Sequence, residues 1–201
     1  MVIHVDTGFG KYDHHQLKRR TSAAELVLRE LLNKGYVKEE LVLSLERFVQ
    51  VVTDFDNFRD SLRSDAAEDY HLFNASEIIF GYKGLHGDDE SVMAFGLEIM
   101  ASLWNVVRQR VSAELELLEK GRSFKTPWGR TIALETKIGT IAHVALKIGY
   151  DMIIYKHPDK GFVRVKQRPN AKKKTSCSLS TTQEEGSPSH VVLSSGWQYD
   201  H

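Results

Sequence analysis

One cysteine, Cys177, stands among the 201 residues, so the chain holds neither an internal disulfide framework nor a thiolate zinc cage. An excess of either charge is missing too. Lys plus Arg is 27 and Asp plus Glu is 27, so no global field draws the chain to nucleic acid or to an anionic membrane. Any polyanion must therefore be recognised locally. Long apolar runs are lacking: the longest nearly uncharged stretch, Ser91 to Trp104, is interrupted by Glu98 and falls short of the roughly 20 residues a membrane span needs. His4, Asp6 and a glycine pair follow Met1 at once, unlike a secretory signal. Neither a Walker loop nor a dinucleotide fingerprint occurs, which argues against ATP or NAD as a cofactor. What is present is an ordinary globular mixture, 41% hydrophobic, with enough apolar mass for a core. The expectation is a soluble, cytoplasmic chain of one large domain or two small ones.

The first 170 residues alternate between strand-like and helix-like pieces. Met1–Val5 reads as a strand that ends at Asp6, and Gly8 and Gly10 flank Phe9 in a turn. A polar patch, Lys11 to Gln16, follows. Ser22-Ala-Ala-Glu25 is a capping-box pattern, and Ala24, Val27, Leu28 and Leu31 fall at i, i+3, i+4 and i+7, which predicts a helix over 22–33 closed by Gly35. A second helix is expected over 38–53, running into Asp54-Phe55-Asp56-Asn57. A long helix capped by Asp89 or Ser91 should reach Lys120. Gly121–Gly129 reads as a connector. Beyond it a strand over 130–135, a helix over 138–148 and a hairpin of 150–156 with 161–167 are predicted. The expected division is 1–121, a smaller α/β unit over 122–170, and a Ser/Thr-rich tail over 171–201 expected to be disordered or divergent.

Three features near the start carry the chemistry. Asp6 ends the first strand, Asp13-His14-His15 follows the glycine turn, and Asp54 and Asp56 end the second helix. Carboxylates and neutral imidazoles are the ligand set of a hard-to-borderline divalent ion such as manganese. A carboxylate at a strand end can bridge two ions about 3.5–4 Å apart, the spacing of two-metal phosphoesterases. Adjacent histidines on an extended segment point to opposite sides. One of His14 and His15 then faces an ion while the other meets a phosphate oxygen, with Asp13 holding a ring N–H to fix the tautomer.

Asp13-His14-His15, the capped helix after Thr21 and the late aspartates together resemble the DHH phosphoesterase superfamily. The wording Tyr12-Asp13-His14-His15-Gln16, with Phe48-Val49 leading to Asp56-Asn57, is closest to its melanocyte-proliferating-gene branch of predicted metal-dependent hydrolases and exonucleases. The matching motifs cover roughly the first 60 residues. The resemblance implies an α/β fold, a DHH-like domain with a mostly parallel sheet and a smaller C-terminal α/β domain closing over the cleft. It implies Mn²⁺ or Mg²⁺, two ions in an intact member, with Asp6 as the bridging carboxylate, His14 as the imidazole ligand, and Asp54 or Asp56 as the fourth-motif ligand. Asp54 ranks slightly ahead. His15 would act near the scissile phosphate, partnered by Asp13. The superfamily's first motif is not in this sequence, which begins five residues before Asp6. Either an N-terminally incomplete member or a one-ion site follows.

Lys18-Arg19-Arg20 reads equally well as a phosphate contact, through Arg19 and Arg20, or as a solvated charge run. Arg164, Lys166 and Arg168 alternate along the last strand and, in the family-like picture, Arg164 and Lys166 hold substrate. His143 is expected among packed apolar neighbours, His71 and His157 toward solvent, and Leu85–Glu90 as a loop and helix cap. The function expected is hydrolysis of a nucleotide or short oligonucleotide phosphoester by metal-activated water. The alternative is an incomplete, non-catalytic DHH-like protein with an accessory or binding role. Expected partners are the nucleotide or short nucleic acid and no membrane, with homodimerisation left open.

Overall fold

A capped helix opens the ordered part of the chain. In the computed structural model, which describes residues 2–169 and 191–193, α1 spans Ala23–Asn33 and α2 spans Glu39–Asp56. Ser22 sits in extended backbone before α1, and its Oγ accepts the Glu25 N–H at 3.1 Å, as the capping box predicts. The same hydroxyl lies 2.7 Å from Thr53 Oγ1, so a buried pair joins the start of α1 to the last turn of α2. Asn57 completes the junction by donating from Nδ2 to the Thr21 and Thr53 carbonyls at 2.9 and 2.8 Å. Helix α2 runs to Asp56 rather than stopping at Thr53. Two 3₁₀ turns, Asp60–Leu62 and Asp69–Phe73, lead into α3, Ala75–His86, whose N-cap Asn74 accepts the Glu77 N–H at 3.0 Å. Helix α4, Asp89–Lys120, is the predicted long helix, with Asp88 as its cap through a 2.7 Å bond from the Ser91 N–H. The cap is thus Asp88 rather than the expected Asp89 or Ser91, and of the segment Leu85–Glu90 only Gly87 and Asp88 lie between the helices, since Leu85 and His86 end α3 and Asp89 and Glu90 begin α4.

Strands follow only after α4. They are β1 Arg122–Thr126, β2 Gly129–Glu135, β3 Met152–Lys156, β4 Val163–Gln167 and β5 Val191–Leu193, with α5, Ile141–Lys147, between β2 and β3. Their order in the sheet is their order in the chain, and the pairings alternate: antiparallel, parallel, antiparallel, parallel. Ile132, Ile153 and Tyr155 share one face and pack with Ile141, Ala145 and Leu117 in the core. At the tight turn into β2, Gly129 has φ +117° and a side chain there would collide with Asp151, whose carboxylate accepts the Arg130 N–H at 2.8 Å.

The chain is thus mixed α/β, and it forms two compact units, Met1–Arg108 and Gln109–His201. The division falls inside α4, earlier than the boundary expected after residue 121, because Ala113 and Leu117 on its last turns belong to the second unit's core. The mostly parallel sheet expected in the N-terminal part is not found among the described residues, where one parallel bridge, Val5 to Tyr12, is the only pairing before β1. The predicted strand over 1–5 does not form, because a lone apolar segment without a neighbouring ladder leaves its backbone groups to solvent; Val2 and Ile3 are exposed. Strand β1 replaces the expected connector. The tail prediction for 171–201, with Cys177 and Lys172–Lys174, falls outside the described residues apart from β5. None of the helices among the described residues is long and apolar enough to cross a membrane.

Ser22→Ala removes a helix cap and strands the buried Thr53 hydroxyl, and should cost about 1–3 kcal/mol of stability. Urea unfolding measures it, and an unchanged midpoint would contradict the role given to this pair.

Candidate metal centre

The loop before α1 is organised by one buried carboxylate. Asp13 is 2% exposed, and both of its oxygens are used: Oδ2 accepts the Phe9 N–H at 2.8 Å, while Oδ1 accepts the His15 N–H at 3.0 Å and meets His15 Nδ1 at 2.7 Å. These bonds, the His15 backbone N–H foremost, hold the Asp13 carboxyl down to about 2. In return Asp13 raises the pKa of His15, and the charges of Asp6 and Asp56 push the same way. The loop is also strained. Asp6 has φ 60° and Phe9 φ 52°, a left-handed conformation that an aromatic residue rarely adopts, and the Asp13 bond to Phe9 holds it there. Further ties come from Asp6 N–H to the Tyr12 carbonyl at 3.0 Å, and from a Lys11–Glu30 ion pair at 2.7 Å that fastens the loop to α1.

Out of this frame three donors converge. His14 Nε2 lies 3.1 Å from Asp6 Oδ1 and 3.1 Å from Asp56 Oδ2. Asp6, His14 and His15 each offer a ligand atom within 4.8 Å of the others. One imidazole nitrogen has a single site for a proton, yet two carboxylate oxygens face it at hydrogen-bond distance. That nitrogen can donate to only one of them at a time. The histidines do not diverge as an extended segment would make them. Their rings lie 4.6 Å apart at 40°, because a turn begins at His15, with the Leu17 N–H donating to the His14 carbonyl at 2.9 Å.

The two late aspartates have different surroundings. Asp56 faces His14. Asp54 is engaged by Arg20 and by Gln50 Nε2 at 2.8 Å, with Arg59 Nη1 at 3.3 Å. Two helical residues are about 200° apart around the axis, so one last turn of α2 presents them to opposite sides. The Asp54 carboxylate is thus held by guanidinium groups, whereas that of Asp56 meets an imidazole. Arg20 is likewise spent on Asp54, whereas Arg19 is exposed. Arg164 and Lys166 lie on β4 of the second unit, on the face of Tyr155 and Ile153, their register partners, and the Arg164 guanidinium sits 4.4 Å from the Phe162 ring centre.

Two other histidines depart from expectation. His143 is exposed, since the buried face of α5 is set by Ile141, Ala142, Val144 and Ala145. His71 is three-quarters buried against Tyr70, with Nε2 3.4 Å from Asp65. His157 lies beside a turn, as expected, and its Nδ1 accepts the Asp159 and Lys160 N–H groups at 3.3 and 3.2 Å in exposed bonds. The role sequence reading missed is that of Asn57, whose only signal was its place after Asp56. Comparison with known proteins found no matching family model, curated protein or solved structure.

The folded carboxyl of Asp13 is depressed below its ordinary value of 3.8, so its bonds contribute fully above that value and are lost as pH falls through 3.8 toward about 2. Amide-exchange protection of Phe9 and His15 should therefore weaken across that window, and Asp13→Asn should abolish the dependence. Protection unchanged down to about pH 2 would contradict it.

Proposed function

We propose that this chain is a metal-dependent phosphoesterase acting on a nucleotide or short oligonucleotide phosphoester. The observation that carries the reading is the approach of Asp6 and Asp56 to one nitrogen of His14, each at 3.1 Å, beside a His15 anchored by a buried carboxylate. The donors fit a divalent ion that prefers oxygen and imidazole, manganese or magnesium. Asp6, His14 and Asp56 would hold it. Gathered this way, they serve one ion rather than the two of the superfamily that the sequence resembles. Bound there, the ion supplies an acidified water and neutralises charge growing on the phosphoryl oxygens.

The chain's own residues do the rest. Asp13 accepts the Nδ1–H of His15 and fixes the ring, which leaves Nε2 to meet a substrate. With its pKa raised by Asp13, His15 keeps a proton at Nε2 further toward neutral pH and donates it to a phosphoryl or leaving oxygen. Arg19, exposed next to this loop in sequence, is the cation for a substrate phosphate in the first unit.

Titration calorimetry with Mn²⁺ tests the reading. His14→Ala and Asp56→Asn should weaken binding by more than about 100-fold, while Asp54→Asn leaves it nearly unchanged. Hydrolysis of bis-p-nitrophenyl phosphate and a short oligoribonucleotide should vanish with it. Absence of Mn²⁺ binding in the unaltered protein would replace this reading with the non-catalytic, accessory one.

A further inference from the structure

On the first unit, away from the Asp13 loop, the last turns of α2, the two 3₁₀ turns and the start of α3 enclose a groove of about 1140 Å³. Its volume exceeds the roughly 300–1000 Å³ of small-molecule pockets and suits a stretch of polypeptide. Large apolar side chains line it without being covered. Leu62 is 83% exposed and Phe73 82%, and Tyr70 and Phe55 are also exposed. So much contiguous apolar surface marks an interaction site.

Charge selects the occupant. The guanidinium groups on the lining are already paired: Arg20 and Arg59 with Asp54, Arg63 with Asp65. Of the lining carboxylates, Asp54 is taken up by those two arginines and four others are left over. Asp60, Glu68, Asp69 and Glu77 line the groove and have no ion-pair partner among the described residues. The uncompensated charge around the apolar floor is therefore negative. Nucleic acid, phosphate headgroups and acidic peptides would be repelled. We infer that this groove docks a basic amphipathic segment of a partner protein, its apolar residues seated on Leu62, Tyr70 and Phe73 and its Lys or Arg side chains meeting the four carboxylates. The inference is independent of the phosphoesterase reading, because neither Asp6, His14 nor Asp56 lines the groove.

Fluorescence anisotropy with a labelled Lys/Leu amphipathic peptide and its Glu/Leu counterpart tests it on the full chain. The basic peptide should bind at least about tenfold more tightly than the acidic one, and weaken as salt is raised. Glu68→Lys with Glu77→Lys should remove at least about tenfold of that affinity, and Leu62→Ser should weaken it as well. All three positions are exposed, and unchanged far-ultraviolet circular dichroism and Mn²⁺ titration would show that the fold and the other site are intact. Equal affinity for the two peptides, no binding of either, or affinity indifferent to the variants would overturn the proposal. So would light scattering that finds a dimer broken by Leu62→Ser, which would make a second copy of the chain the occupant.

Discussion

The Ser22 hydroxyl caps α1 and touches the Thr53 hydroxyl, and through that one buried contact the loop bearing His14 is registered against the helix bearing Asp56. Neither partner is dispensable to the other. Thr53 lies on the last turn of α2, one turn short of Asn57, which returns to the Thr21 carbonyl. The junction therefore pins two segments that are more than thirty residues apart in sequence. Small buried polar groups suit this task because a satisfied hydroxyl pair is directional, whereas apolar packing tolerates sliding. Without it, Asp56 would still end α2, but its distance from His14 would rest on the more exposed Arg20–Asp54 pair.

Within that register the carboxylates are divided by their partners. Asp13 is buried and saturated by N–H groups, so it stays charged and works on the loop and on His15. Asp54 is neutralised by guanidinium groups and gives stiffness to the α2 end. Asp6 and Asp56 alone approach His14 without a cation between them. The left-handed backbone at Asp6 and Phe9 fits the same picture, since strain of this kind persists where surrounding bonds over-determine the chain.

Much of this was legible in the sequence, and the failures have physical causes. Helix α1 announced itself by its capping box, and α4 by a period sustained from Val92 to Leu117. Strand β1 did not, because Arg-Ser-Phe-Lys-Thr carries one large apolar residue and lies at the sheet edge, where alternation is not enforced. The strand expected before Asp6 had the right composition but pairs only through the single bridge from Val5 to Tyr12. At the site, Asp13, His14 and His15 are contiguous and could be read together. The choice between Asp54 and Asp56 could not, since it depends on where α2 ends. Three further residues of helix put the two carboxylates on opposite sides of its axis. His143 shows the same limit: apolar neighbours in sequence are not neighbours on one helix face.

The account turns on whether His14, Asp6 and Asp56 share a cation. Anomalous diffraction at the manganese edge, from crystals of the full chain grown with Mn²⁺, asks this directly. A peak within about 2.0–2.3 Å of His14 Nε2 and of one oxygen from each of Asp6 and Asp56 is the predicted result. A map with no peak there, or with manganese on Asp54 instead, would contradict the account.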